Sequence, residues 1–110
     1  MPDASPPPAP GGWDDLTGRL RDLRAAGGSP SYADLVRRVD AVRAARGVPP
    51  HERRPGRVTV YDAFRDGRTR LDVELLADLV RALGGTDADA AAWRGAHAAV
   101  AASLTRTSAG

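Results

Sequence analysis

A chain of 110 residues has room for one domain with its own apolar core, and the absence of cysteine closes off disulfides and thiolate-held metals. The two histidines, His51 and His97, are far apart with no acidic partner at ligand spacing, so neither a metal site nor a catalytic dyad can be assembled, and no enzyme activity or cofactor is expected. The formal charge of +2 is unevenly spread, with −3 over residues 1–18, +7 over residues 19–70 and −2 over residues 71–110.

Met1 to Gly12 is rich in proline and lacks apolar periodicity, so residues 1–12 read as a disordered or extended tail. It has neither a basic start nor an apolar stretch, and no run reaches the ~18 apolar residues of a membrane span. A cytoplasmic protein without a membrane partner is the expectation. Trp13, Leu16, Leu20 and Leu23 recur at helical spacing and predict a first helix over 13–26, stopped by Gly27-Gly28-Ser29-Pro30. Ser31 opens a second helix, with Asp34 placed to complete a capping box and Tyr32, Leu35, Val36, Val39 and Val42 forming its apolar face as far as Arg46.

Gly47-Val48-Pro49-Pro50 ends that helix, and residues 47–56 read as an exposed basic loop. Arg43, Arg46, Arg53 and Arg54, in or beside it, can either embrace a polyanion or stay solvated. A third helix follows from Arg57 to Asp66, with Gly67 placed as a left-handed cap. Leu71, Leu75, Leu76, Leu79, Val80 and Leu83 predict a core helix over 71–83 that stops at Gly84-Gly85. Thr86 to Asp89 is a second capping box, opening a fifth helix whose narrower stripe is Trp93, Ala96, Val100 and Leu104. Residues 105–110 are expected to fray.

The third helix carries the most information. Val60, Ala63 and Phe64 make one side of it apolar, which leaves Arg57, Val58, Tyr61, Asp62 and Arg65 on the remaining arc. Val58-Thr59-Val60-Tyr61 also alternates as a strand does, but no neighbouring run offers a pairing partner. Every basic side chain is arginine, a residue suited to bidentate contacts, although a GC-rich genome explains the bias more simply.

Over residues 16–102 the order of elements resembles the Xre, or lambda-repressor-like, helix-turn-helix family, in the variant found near the N-termini of regulators from high-GC bacteria. The resemblance rests on Leu20-Arg21-Asp22-Leu23-Arg24, Ser31-Tyr32-Ala33-Asp34-Leu35, Thr59-Val60-Tyr61-Asp62-Ala63-Phe64, Leu79-Val80-Arg81-Ala82-Leu83-Gly84 and Ala92-Trp93-Arg94. The join from Asp40 to Gly56 is longer than the family's usual tight turn. The resemblance implies an all-α, compact five-helix domain over 13–104, with a long loop between its second and third helices.

It also implies a third helix lying in the major groove of double-stranded DNA. Arg57, Val58, Tyr61, Asp62 and Arg65 would then read bases, while Ser31, Tyr32, Arg53, Arg54, Thr59, Arg68 and Arg70 would contact phosphates. Transcriptional regulation as a homodimer follows, nucleoid-associated when bound, with Trp93, Val100 and Leu104 as the dimer surface. The alternative is a protein-protein interaction module of the same fold, standing at the front of a larger signalling protein.

Overall fold

The computed structural model describes the backbone of residues 3–109 and the side chains of residues 3–106. Within them the chain is all-helical: α1 (Trp13–Ala26), α2 (Tyr32–Ala45), α3 (Pro50–Arg53), α4 (Arg57–Ala63), α5 (Val73–Ala82) and α6 (Asp87–Ala109). α3 is a single turn, so the five expected helices stand, and the strand reading of Val58–Tyr61 is set aside. Residues 47–56 are not wholly irregular as expected. Pro50 takes the first helical position, where a missing N–H costs nothing, and Glu52 lies in the same turn.

Local chemistry explains most of the helix boundaries. α1, α2 and α5 all end in one motif: the amides of Ser29, Val48 and Gly85 donate to the carbonyls of Arg24, Arg43 and Val80 at 2.9, 3.0 and 2.9 Å. Gly28, Gly47 and Gly84 supply the left-handed residue it needs, with φ of 90°, 83° and 99°. Asp72 caps α5 by accepting from the amides of Glu74 and Leu75, and Thr86 and Asp89 form the full reciprocal box at the start of α6. Ser31 caps α2 through the Asp34 amide, but the return half of that box is not made. Arg37 and Arg38, one turn further on, take the Asp34 carboxylate instead.

Gly85 is constrained more tightly than any other described glycine. A Cβ there would lie 2.7 Å from Val80 Cγ1 and 2.8 Å from the Val80 carbonyl oxygen, so the turn that redirects the chain from α5 into α6 admits no side chain. Gly85→Ala is therefore expected to cost about 1–3 kcal/mol, the range for forced overpacking. Urea unfolding would show it as a lower midpoint with an unchanged slope; an unchanged midpoint contradicts the packing described.

α5 is the centre of the domain. Leu75 to Val80 are all buried, against α2 on one side and α6 on the other. Trp13, Leu16, Leu20 and Leu23 of α1, Leu35, Val36 and Val39 of α2, and Trp93, Ala96 and Val100 of α6 complete the core. Trp93 and Val100 are 0% and 1% exposed, so two of the three residues expected at a dimer surface are instead covered by their own chain. Trp93 falls on the inner side of α6 together with Ala90, Ala96 and Val100, and that is why burial claims it.

Near both ends the described residues adopt defined contacts or helix. The proline-rich leader is extended but docked: the Trp93 indole N–H donates to the Ala4 carbonyl at 2.7 Å, and Arg19 Nε donates to the Ser5 carbonyl at 2.9 Å. At the other end α6 runs on to Ala109 rather than fraying after Leu104. Met1, Pro2 and Gly110, which belonged to the expected tails, lie outside the described residues.

Candidate nucleic-acid interface

α4 divides as its sequence dictates. Val60, Ala63 and Phe64 are buried, which turns Arg57, Val58 and Tyr61 outward, and Val58 at 72% is the most exposed large apolar residue described. The helix is shorter than expected because α1 takes hold of the chain that follows it. Arg21 donates to the Phe64 carbonyl at 2.8 Å and to the Asp66 carboxylate, Thr17 donates to the same carboxylate at 3.1 Å, and Asp14 accepts from the Gly67 amide at 2.9 Å. Phe64 and Arg65 close the helix with bonds to carbonyls three residues back. Gly67 does adopt φ of 81°, but as part of this α1 contact and not as the helix cap.

The hydrogen bonds from Arg21 and then Thr17 hold the Asp66 carboxyl below the usual carboxylate range. Their consequence is positional. The exit of α4 is bolted to α1, so the exposed arc of α4 sits on a fixed frame.

Beside that arc lies the start of α2. Ser31, Tyr32, Ala33, Arg57, Val58 and Tyr61 line one groove of about 420 Å³, joining residues some twenty-five positions apart in sequence. The Tyr61 ring meets Tyr32 edge-on at 5.3 Å, Tyr32 tilts against Phe64 at 5.8 Å, and the Arg24 guanidinium lies 4.5 Å over the Tyr32 ring. Tyr32 thus packs against Tyr61, Phe64 and Arg24 at the rim of the groove. Ser31 accepts from the Asp34 amide at 3.0 Å and keeps its own O–H to donate.

The arginines sort themselves by their partners. Arg65 Nε lies 3.2 Å from Asp62, and Arg68 reaches the same carboxylate at 3.9 Å, so Asp62 is covered by two cations on its side of α4. The side chains of Arg57 and Arg70 make no hydrogen bond or ion pair among the described residues. Thr59 is exposed, on the turn facing Arg68 and Leu71 rather than in the groove.

Arg43 and Arg46 do not reach outward. They bind the Asp78 carboxylate, which is wholly buried in α5, at 2.8 and 2.5 Å, and Arg81 joins them at 3.0 Å. Arg53 donates to the Val48 carbonyl at 3.0 Å and its own carbonyl accepts from Arg43, while Arg54 pairs with Asp40 at 3.2 Å. Arg53 stands at the end of α2 opposite Ser31, about 20 Å along the helix axis. The sequence reading missed Asp78 altogether. The available signal was a carboxylate set inside the run Leu75-Leu76-Ala77-Asp78-Leu79-Val80, where only a buried and paired charge makes sense.

Among the described residues no three His, Asp or Glu side chains gather as a metal would require, and no helix is long and apolar enough to cross a membrane. No family model, no curated protein and no solved structure matches the chain.

Proposed function

We propose that this domain binds double-stranded DNA sequence-specifically in transcriptional control, with α4 in the major groove, acting in the cytoplasm at the nucleoid. One observation carries the reading. Arg57, Val58 and Tyr61 stand exposed on a helix whose other side is buried in the core, and Arg57 has no intramolecular partner, although most arginines nearby have one. A guanidinium left free at such a place is suited to bidentate donation to guanine, and the adjoining apolar surface to a thymine methyl. Asp62, covered by Arg65 and Arg68, offers little repulsion to phosphate and can accept from a cytosine amino group.

Ser31 at the start of α2 and Arg70 beyond α4 then frame the groove as backbone contacts. Homodimerisation is part of the proposal, and Leu104, 41% exposed, is the one of the three expected dimer residues left open to a second copy. The resemblance to lambda-repressor-like domains supports the same assignment.

Titration of a preferred duplex and a random one at fixed salt tests the role of Arg57. Arg57→Ala should cost about 1–3 kcal/mol on the preferred site and much less on random DNA. Equal losses on both would reduce Arg57 to a phosphate contact. The salt dependence divides the remaining arginines: Arg70→Gln should lower the slope of log K against log salt by about 0.9, and Arg53→Gln should leave it unchanged. A slope that falls for Arg53→Gln and not for Arg70→Gln would reverse the placement of the phosphate frame.

The exposure of Val58 and the apolar floor of the groove also favour a second reading, in which the same face docks on a protein. It requires Val58→Asp to abolish capture of that protein while DNA binding is absent in the unmodified chain.

A further inference from the structure

A second cavity, of about 570 Å³, shares no residue with the groove of α4 and lies among α1, α6 and the segment joining α4 to α5. Trp13, Arg68, Arg70, Leu71, Asp72 and His97 line it. Its volume falls within the range of small-molecule sites, roughly 300–1,000 Å³. Two of its wall residues carry donors with no acceptor: the indole Nε1 of Trp13 and the Nε of Arg68 are buried and unpaired. Trp13 itself is only 8% exposed, so its N–H has lost water without gaining a partner.

The other groups in the wall define what is lacking. His97 Nε2 is 2.7 Å from the Leu71 carbonyl, and its ring lies 4.8 Å from that of Trp13, which makes one side of the cavity aromatic. The Asp72 carboxylate is the N-cap of α5, with one oxygen shared by the amides of Glu74 and Leu75. Arg70 has no partner, and the ion pair of Arg68, to Asp62, is long at 3.9 Å. Donors and positive charge outnumber acceptors, against an aromatic wall of two tilted rings.

We propose that this cavity binds a small aromatic carboxylate, its carboxylate held by Arg68 and Arg70 and its ring against Trp13 and His97. A guanidinium matches a carboxylate with two parallel N–H···O bonds. A phosphate dianion fits less well, because the Asp72 carboxylate shares the wall and the aromatic side offers it nothing. Apart from Arg70, which the proposed DNA contacts also use, the site is separate from the groove of α4, and the titration below is run without DNA.

The two indole N–H resonances of the intact ¹⁵N-labelled protein provide the test. The Trp93 indole is held by the Ala4 carbonyl and serves as the internal reference. Benzoate, acetate and inorganic phosphate are titrated separately to about 20 mM at constant ionic strength. The expected result is a saturable shift of the Trp13 indole with benzoate, binding about tenfold weaker for acetate and phosphate, and an unmoved Trp93 signal. Arg70→Gln, which removes no intramolecular bond, should weaken benzoate by at least about threefold, and the added Arg68→Gln should abolish the shift. A Trp13 signal that ignores benzoate, that follows phosphate equally, or that shifts undiminished in Arg70→Gln overturns the proposal.

Discussion

Asp78→Asn is expected to lower the unfolding free energy by about 3–5 kcal/mol, the cost of breaking a buried ion pair from one side. The carboxylate is wholly buried and binds three guanidiniums, of Arg43, Arg46 and Arg81, and the side chains of Arg43 and Arg81 are only 15% and 17% exposed. An amide in its place leaves Arg43 and Arg46 without a counter-charge, the former in a region that water barely reaches, while Arg81 keeps its bond to Asp87. A loss below about 1 kcal/mol in urea unfolding would show the cluster to be solvated in practice.

The same site sets an acid limit. Burial alone would push the Asp78 carboxyl up, but hydrogen bonds from Arg46, Arg43 and Arg81 outweigh it and hold the group below its ordinary value. A folded value below the unfolded one, about 3.9, means that the stabilisation is fully present above the unfolded value. It is lost as pH falls through the folded value. The unmodified protein should therefore lose stability below about pH 4 more steeply than Asp78→Asn, which has no carboxyl there to protonate. Parallel profiles for the two would remove Asp78 from the acid transition.

Trp93→Ala is the second large effect, about 3–5 kcal/mol for deleting an aromatic side chain from a packed core. Trp93 is fully buried, and it also holds the leader through its bond to the Ala4 carbonyl. Trp93→Phe separates the two roles. It keeps most of the apolar volume and should cost less than Trp93→Ala, while freeing the leader, so that the backbone ¹⁵N relaxation of Ala4 and Ser5 becomes that of a mobile tail. Rigid Ala4 and Ser5 amides in Trp93→Phe would mean that the leader is held chiefly by Arg19, which bonds the carbonyls of both Ser5 and Asp3.

What could be read from the sequence was what is decided within a turn or two of chain. The stripe of α1, the stripe of α5, the Thr86–Asp89 box and the glycines that end α1, α2 and α5 all act on neighbours three to five residues away. The arc of α4 belongs with them, since Val60, Ala63 and Phe64 fix which side is buried.

Contacts between distant segments were illegible for the same reason. α4 stops at Ala63 because Arg21, Thr17 and Asp14 capture residues more than forty positions away, and no local pattern announces that. The charge of the 19–70 segment shows how composition misleads when pairing is unknown. Arg43 and Arg46 counted towards a polyanion-binding surface, yet a carboxylate more than thirty residues downstream holds both. Arg57 and Arg70 gain significance by the same sorting, because they are what pairing leaves over.

Selection of duplexes from a random library by the intact protein tests the role of α4 most directly, with Arg57→Ala carried through the same rounds. The expected result is one enriched motif bound at least roughly 10³-fold more tightly than random DNA by the unmodified chain, and a loss of preference at one or more base pairs for Arg57→Ala. Absence of an enriched motif, or an identical motif from both proteins, would contradict base reading by this helix.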